Sequence, residues 1–309
     1  MGESDPRRAV LELMTASWVS QALYVVAKLG IADVLADGPL KVTELASVSG
    51  CADSDGLYRL LRLLASHGIV HEHDDQSFSL TSLSAQLRSD VPNSMRDLVI
   101  FYGSEAYQAW GSLLDGVLTG ESPFRSVFGD DIFGYLRAHP ERSSVFNSAM
   151  AASAPFFEDL AAKYDFPPDA LVVDVGGGSG AMLGAILTAH PDLRGRILDK
   201  AEVVDEAKQR MASLGLADRC AFEPGDFFEF VPAGADVYLL SRILHDWHDD
   251  RCERILRNCR SAMTADSHLL IIERLLPAPN TPSLACEFDV QMMVVSPGGR
   301  ERDVKAYTR

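Results

Sequence analysis

The sequence has no Cys-x-x-Cys pair. Its five cysteines, Cys51, Cys220, Cys252, Cys259 and Cys286, form an odd and scattered set. That argues against a zinc ribbon or a disulfide framework and predicts buried free thiols, with Cys252 and Cys259 two turns apart on one helix face. Unbroken apolar runs of the roughly 18 residues needed to cross a membrane are also missing. The start, MGESDPRRAVLEL, lacks the basic-then-apolar order of a secretion signal. Both absences predict a cytoplasmic protein with no membrane attachment. Bases are scarce: 28 Lys and Arg stand against 44 Asp and Glu, a net charge of −16. Such a field repels nucleic acid and anionic membrane while tolerating a cationic or neutral ligand. What remains is an ordinary globular composition, 47% hydrophobic and 23% charged over 309 residues, long enough for two domains.

Residues 9 to 35 are apolar on nearly all sides at helical spacing, with Gly30 as the stop. A helix of that kind must be covered, by its own domain or by a partner. KVTELASVSG then predicts a short helix capped at Thr43, DSDGLYRLLRLLASHG a longer one capped at Asp53, and IVHEHDDQSFSLT two short strands around an acidic turn. Helix, turn, helix and hairpin is the order of a winged helix. Residues 41 to 90 nevertheless carry four Lys or Arg against seven Asp or Glu, and the wing reads EHDD. A DNA reader needs bases on those elements, so dimerisation or covering a substrate is the better role. Residues 91 to 168 are helical and aromatic-rich, and Pro167-Pro168 marks the boundary of a further domain. Beyond it, LVVDV, GRILD, ADVYLLSRIL and HLLIIERLL alternate with helical stretches. That pattern predicts a parallel sheet covered on both faces, with ligands at the carboxyl ends of its strands. The division expected is therefore 1–90, 91–168 and 169–309.

LVVDVGGGSGAM sits at one such strand end. Gly176, Gly178 and Gly180 give a G-x-G-x-G spacing, one residue tighter than the usual dinucleotide turn, and such a turn lets backbone approach a ligand closely. Asp174 precedes it, where its charge would face a cation. Asp199, at the end of GRILD, suits a ribose diol. Asp226 follows a third candidate strand, with Phe227 beside it to lie against a base. Three carboxylates are badly placed for a pyrophosphate, which wants amides and cations. They suit a positively charged nucleoside such as S-adenosylmethionine.

A second constellation is SRILHDWHDDRCERIL, which places His245 at the carboxyl edge of the fourth strand. His248, three residues on, reads as structural. A phenol loses its proton near pH 10 and an imidazolium near 6.5, so transfer between them costs about 4.8 kcal/mol. A neighbouring carboxylate reduces that cost, and Glu273 and Glu301 are the candidates.

DVGGGSG, LD, GDFF, HDWHDD, IIER and GGRER, in that order, resemble the class I S-adenosylmethionine-dependent O-methyltransferases of small molecules. More narrowly they resemble the plant caffeate-type and bacterial antibiotic-pathway branch. LYRLLRLLASHGIV, FSLTSLSAQLR and FNSAMAAS resemble it too, so the likeness covers almost the whole chain. It implies a Rossmann-like α/β methyltransferase domain preceded by a mostly α-helical, winged-helix-like dimerisation domain, hence a homodimer. It also implies that Asp174, Gly176, Gly178 and Gly180 hold the methionine part of the cofactor, Asp199 the ribose, and Asp226 and Phe227 the adenine, with Trp247 packed nearby. Ser241 stands where plant relatives have a lysine, which leaves that cofactor contact open. His245 matches the general base, flanked by Glu273 and Glu301, and Met150, Asp246 and Met292 match acceptor-binding positions. The acceptor implied is a small aromatic bearing a hydroxyl. No metal-ligand cluster stands out, and the base replaces a metal ion. Members of the branch continue past GGRER through a helix and two closing strands. Here the sequence ends at DVKAYTR, so those strands are expected to be missing, either because this sequence is trimmed or because the chain is naturally short, in which case an edge strand needs cover. Alternatives are the same fold turned to non-methyl-transfer chemistry, an inactive shortened relative, or a ligand-binding regulator, against which the acidic wing counts.

Overall fold

The computed structural model describes residues 5–152 and 161–308. Backbone packing divides the chain into two compact units, one holding residues 1–107 and 144–152, the other 108–143 and 153–309. The segment 91–168 thus contributes to both.

In the first unit, α1 spans Pro6–Lys28, with Asp5 accepting the Arg7 amide and proline at its first position, where a missing N–H costs nothing. Gly30 (φ +66°) ends the run as expected. Only Ala22, Val26 and Ala27 of α1 are buried. Its length and composition are sufficient to cross a membrane, a correction to the expectation above. The small and uncharged polar residues of MTASWVSQALYVVA break the apolar run without adding charge. Strand β1 (Leu40–Lys41) leads into α2 (Val42–Ser49), which is capped at Lys41 rather than Thr43, because the Glu44 carboxylate accepts the Lys41 amide at 3.0 Å. Helix α3 (Ser54–Ser66) is capped by Asp53, which accepts the Gly56 amide at 2.9 Å, a bond worth about 1 kcal/mol. Leu57, Leu61 and Leu64 fall four and three residues apart, so α3 buries one stripe against Leu45 and Phe78. Strands β2 (Val70–Glu72) and β3 (Ser77–Leu80) form the expected antiparallel hairpin, and β1 pairs with β3 as an added third strand. Helix α4 (Pro140–Ala151) carries Met150 within the part assigned to this unit.

The second unit is doubly wound: β4 (Leu171–Val175), α5 (Ala181–Ala189), β5 (Arg194–Asp199), α6 (Ala201–Ser213), β6 (Cys220–Pro224), β7 (Val237–Ser241), α7 (Asp249–Ala262), β8 (His268–Ile272) and α8 (Leu284–Val295). The strands run parallel in the order β6-β5-β4-β7-β8. Alternate residues feed opposite layers. Val172, Ile197 and Leu239 pack against α5 and α6, while Val173, Leu198 and Leu240 pack with Ile255 and Cys259 of α7. Each fully buried side chain of this kind contributes about 2 kcal/mol. Cys220, Cys252 and Cys259 are buried free thiols as expected, and burial pushes Cys220 and Cys259 up to about 12; Cys286, by contrast, is exposed. Strand order reverses at β4, since chain connection runs outward through β5 on one side and β7 on the other. Ligands of such sheets bind there, outside the carboxyl ends.

Candidate active site

The glycine turn leaves β4 with the Gly176 amide bonded to the Leu198 carbonyl at 2.8 Å. Gly178 (φ +55°) has open space where a side chain would stand, and its amide donates to Asp199 Oδ2 at 2.8 Å. A side chain at Gly176 (φ +73°) would instead run into Ile243 and crowd Phe227. Asp199 also accepts the Lys200 amide at 2.7 Å, so one carboxylate ties the turn to the end of β5.

Asp174 is the penultimate residue of β4 and is 1% exposed, with Oδ2 unpartnered and its carboxyl against the place a side chain at Gly177 would take. Burial, with Asp199 nearby, pushes its carboxyl up to about 7. Asp226 bonds its own loop, accepting the Phe228 amide at 2.8 Å, and Asn258 of α7 donates to the Phe227 carbonyl at 2.8 Å. The Phe227, Phe228 and Trp247 rings pack edge to face or tilted, and Phe133 stacks on Trp247. Ser241 is the half-buried last residue of β7.

His245 lies in a single tight turn, Leu244–Asp246, and is 6% exposed. Its Nδ1 is 3.3 Å from Glu301 Oε1 and 3.5 Å from Glu273 Oε2, and its Nε2 is 3.8 Å from Asp246 Oδ1. Burial disfavours the imidazolium, but Asp246, Glu301 and Glu273 together outweigh it and hold the ring above its ordinary value. Asp246 is itself raised by burial and accepts a bond from Ser296. Glu273 Oε1 accepts the amides of Ile243, Leu244 and His245 at 3.1, 2.8 and 3.3 Å. Oε2 of both glutamates is buried without a bond. Arg274 Nη1 lies 3.7 Å from Glu301 and its guanidinium sits over the Phe288 ring.

The structure therefore assembles His245, Glu273 and Glu301 from three separate segments, with potential ligand atoms all within 4.8 Å. That corrects the expectation that no metal-ligand cluster is present, since the grouping is invisible in linear spacing. His248 stands at the start of α7 with its ring against Gly298. Met292 is buried on α8, where Trp110 bonds Gln291 and Ser122 bonds the Val294 carbonyl. Met150 belongs to the other compact unit. Arg302, Arg274 and Asn258 were not anticipated from the sequence. The run GGRERD offered the only signal for Arg302, a buried base between two acids.

Comparison with known proteins adds a family to this geometry. Residues 110–309 match the family described as an O-methyltransferase domain, and residues 11–90 match the O-methyltransferase dimerisation domain. A phenazine O-methyltransferase of Lysobacter antibioticus is 45% identical over 95% of this chain and 86% of its own length. A phenazine-1-carboxylate N-methyltransferase of Pseudomonas aeruginosa is 35% identical over 94% of this chain and 86% of its own. The crystal structure of an O-methyltransferase from neocarzinostatin biosynthesis, in complex with S-adenosylmethionine and 2-hydroxy-5-methyl naphthoic acid, superposes with a TM-score of 0.82. It is 33% identical, with 99% of this chain and 91% of that one covered.

Proposed function

This chain belongs to the O-methyltransferase family and is an S-adenosylmethionine-dependent O-methyltransferase. We propose that its acceptor is a phenolic hydroxyl on a flat aromatic natural product and that His245 is the general base.

The observation that carries this reading is the orientation of one imidazole. Nδ1 faces two buried carboxylates, so a proton is held on that nitrogen and the lone pair of Nε2 is left to accept another. The ring's raised basicity narrows the gap to a phenol, and Glu273 and Glu301 stabilise the imidazolium that forms. Asp246 lies 3.8 Å from Nε2 and accepts a bond from Ser296, and it would bond the acceptor's other polar substituents. Met292 would press on the acceptor ring, with Met150 as its proposed counterpart.

The turn fits a charged nucleoside. Open space over Gly178, the Asp199 carboxylate beside it and the unpartnered Asp174 oxygen suit a cationic amino-acid portion next to a ribose. Asp226 and Phe227 would hold the base, with Trp247 and Ser241 at the margin. When bound, S-adenosylmethionine supplies the methyl group as an electrophile. No metal enters the proposed reaction: the Nε2 lone pair takes the hydroxyl proton directly, so the oxygen does not have to be made more acidic by a Lewis acid. The first unit is the proposed homodimer interface, and residues 91–168 the proposed cover over the acceptor.

His245→Ala tests the assignment. Turnover on a phenolic acceptor should fall by about 10²- to 10⁴-fold, with S-adenosylhomocysteine affinity unchanged by calorimetry; full turnover would remove His245 from the chemistry. One relative is an N-methyltransferase, and an aromatic amine attacks through a lone pair it already has. An amine acceptor would therefore show less than a tenfold loss in the same variant.

A further inference from the structure

Three chain segments meet at the base, and a buried guanidinium touches or adjoins each of them. Arg302 is 7% exposed. Its Nη1 donates to the Leu244 carbonyl at 2.9 Å, and its Nη2 donates to the Trp247 carbonyl at 2.8 Å and to Asp249 Oδ1 at 2.7 Å. These carbonyls bracket His245. On the other side of the same turn, Glu273 collects the three amides of residues 243 to 245. A carboxylate and a guanidinium thus grip one tight turn from opposite ends.

Entry to that turn is unusual. Arg242, just before it, has φ +55° without being glycine, a conformation that persists only where surrounding contacts enforce it. The exit is tied as well, since the Arg300 amide donates to the His245 carbonyl at 2.8 Å. Arg302 is also bonded through its own carbonyl to the Leu276 amide at 3.0 Å, three residues beyond Glu273. Glu301, whose Oε1 faces Nδ1, is its immediate neighbour in the chain.

We propose that Arg302 is a positioning residue, which sets the His245 ring against Glu273 and Glu301 by holding the backbone of the Leu244–Trp247 turn. This rests on the reading of His245 as the base. A planar fork with several donors in fixed directions reaches two carbonyls and a carboxylate together, which a lysine ammonium on a flexible stem does not.

Arg302→Met and Arg302→Lys, each made alone and in the His245→Ala background, test it. Groups facing the ring are Asp246 on its own turn, Glu273 after β8 and Glu301, with Arg274 on the far side of Glu301. Arg302→Met should lower kcat by about 10²-fold, the scale of a misplaced reacting group. Its S-adenosylhomocysteine affinity should stay within threefold. The acid limb of its kcat profile should move below the wild-type position as the ring leaves its glutamates, and Arg302→Lys should recover part of both changes. In the His245→Ala background, Arg302→Met should cause no further loss, because it acts through a side chain already gone. Losses that multiply across the two substitutions, or an unshifted profile, overturn the proposal. Should Arg302→Met fail to fold, an Arg302→Lys enzyme with the wild-type kcat profile overturns it equally. Full turnover of His245→Ala alone would instead sink the base assignment.

Discussion

Glu301 Oε1 lies 3.3 Å from His245 Nδ1 with its own side chain wholly buried. Burial works against the imidazolium, and Asp246 and the glutamates more than offset it, so the ring's pKa is above 6.5 in the folded protein. The imidazolium's contribution to stability is complete below the unfolded value near 6.5 and is lost as pH rises through the higher folded value. Turnover needs the neutral ring, so kcat should climb with pH through an apparent pKa above 6.5. Glu301→Gln should bring that limb down toward 6.5, and a limb that stays in place in the variant means Glu301 does not act on the ring.

The ligand atoms of the same three residues all lie within 4.8 Å of one another, the spacing of a metal centre, which gives the metal-free reading a clean test. Exhaustive dialysis against a chelator should leave turnover unchanged within error. Loss of activity that one divalent ion restores would make His245, Glu273 and Glu301 a metal centre instead.

Two glycines of one turn should respond differently to a methyl group. Both have positive φ, a strain of roughly 1–3 kcal/mol for an alanine. At Gly176 the methyl also runs into Ile243, whereas above Gly178 it meets only open space. Gly176→Ala should therefore lower the melting temperature more. Gly178→Ala should chiefly weaken S-adenosylmethionine binding, and equal affinity in calorimetry would mean the ligand does not use that space.

Val10, Leu11, Met14 and Trp18 are all more than half exposed along one stripe of α1, with Leu13 beside it. The dimerisation-domain match begins at residue 11. Sedimentation should give a dimer at micromolar concentration, and Leu13→Asp with Trp18→Asp should give a folded monomer. A wild-type monomer at that concentration would end the homodimer reading.

What could be read from the sequence was what depends on neighbours in sequence. Asp53 caps its helix because its side chain reaches an amide three residues on, and Gly30 stops α1 because it tolerates positive φ. The strands of the second unit were legible as apolar blocks alternating with helices. Thr43 suits a cap by side-chain type, yet the helix is capped at Lys41, because the Glu44 carboxylate reaches back to the Lys41 amide. Glu273 and Glu301 lie 28 and 56 positions from His245, so the residues alone offer them as candidates and only the resemblance groups them. The resemblance did not extend to the backbone duties of Arg302, which depend on carbonyl directions that a sequence does not display.

Asp199 accepts one amide from the glycine turn and another from Lys200. A carboxylate can only accept, so whatever settles beside it must bring donors. A sugar with free hydroxyls does so; a sugar bearing a phosphate at the same place brings further negative charge and more acceptors. On the proposed cofactor pose, this carboxylate would favour an unmodified ribose over a nucleotide phosphorylated at that place.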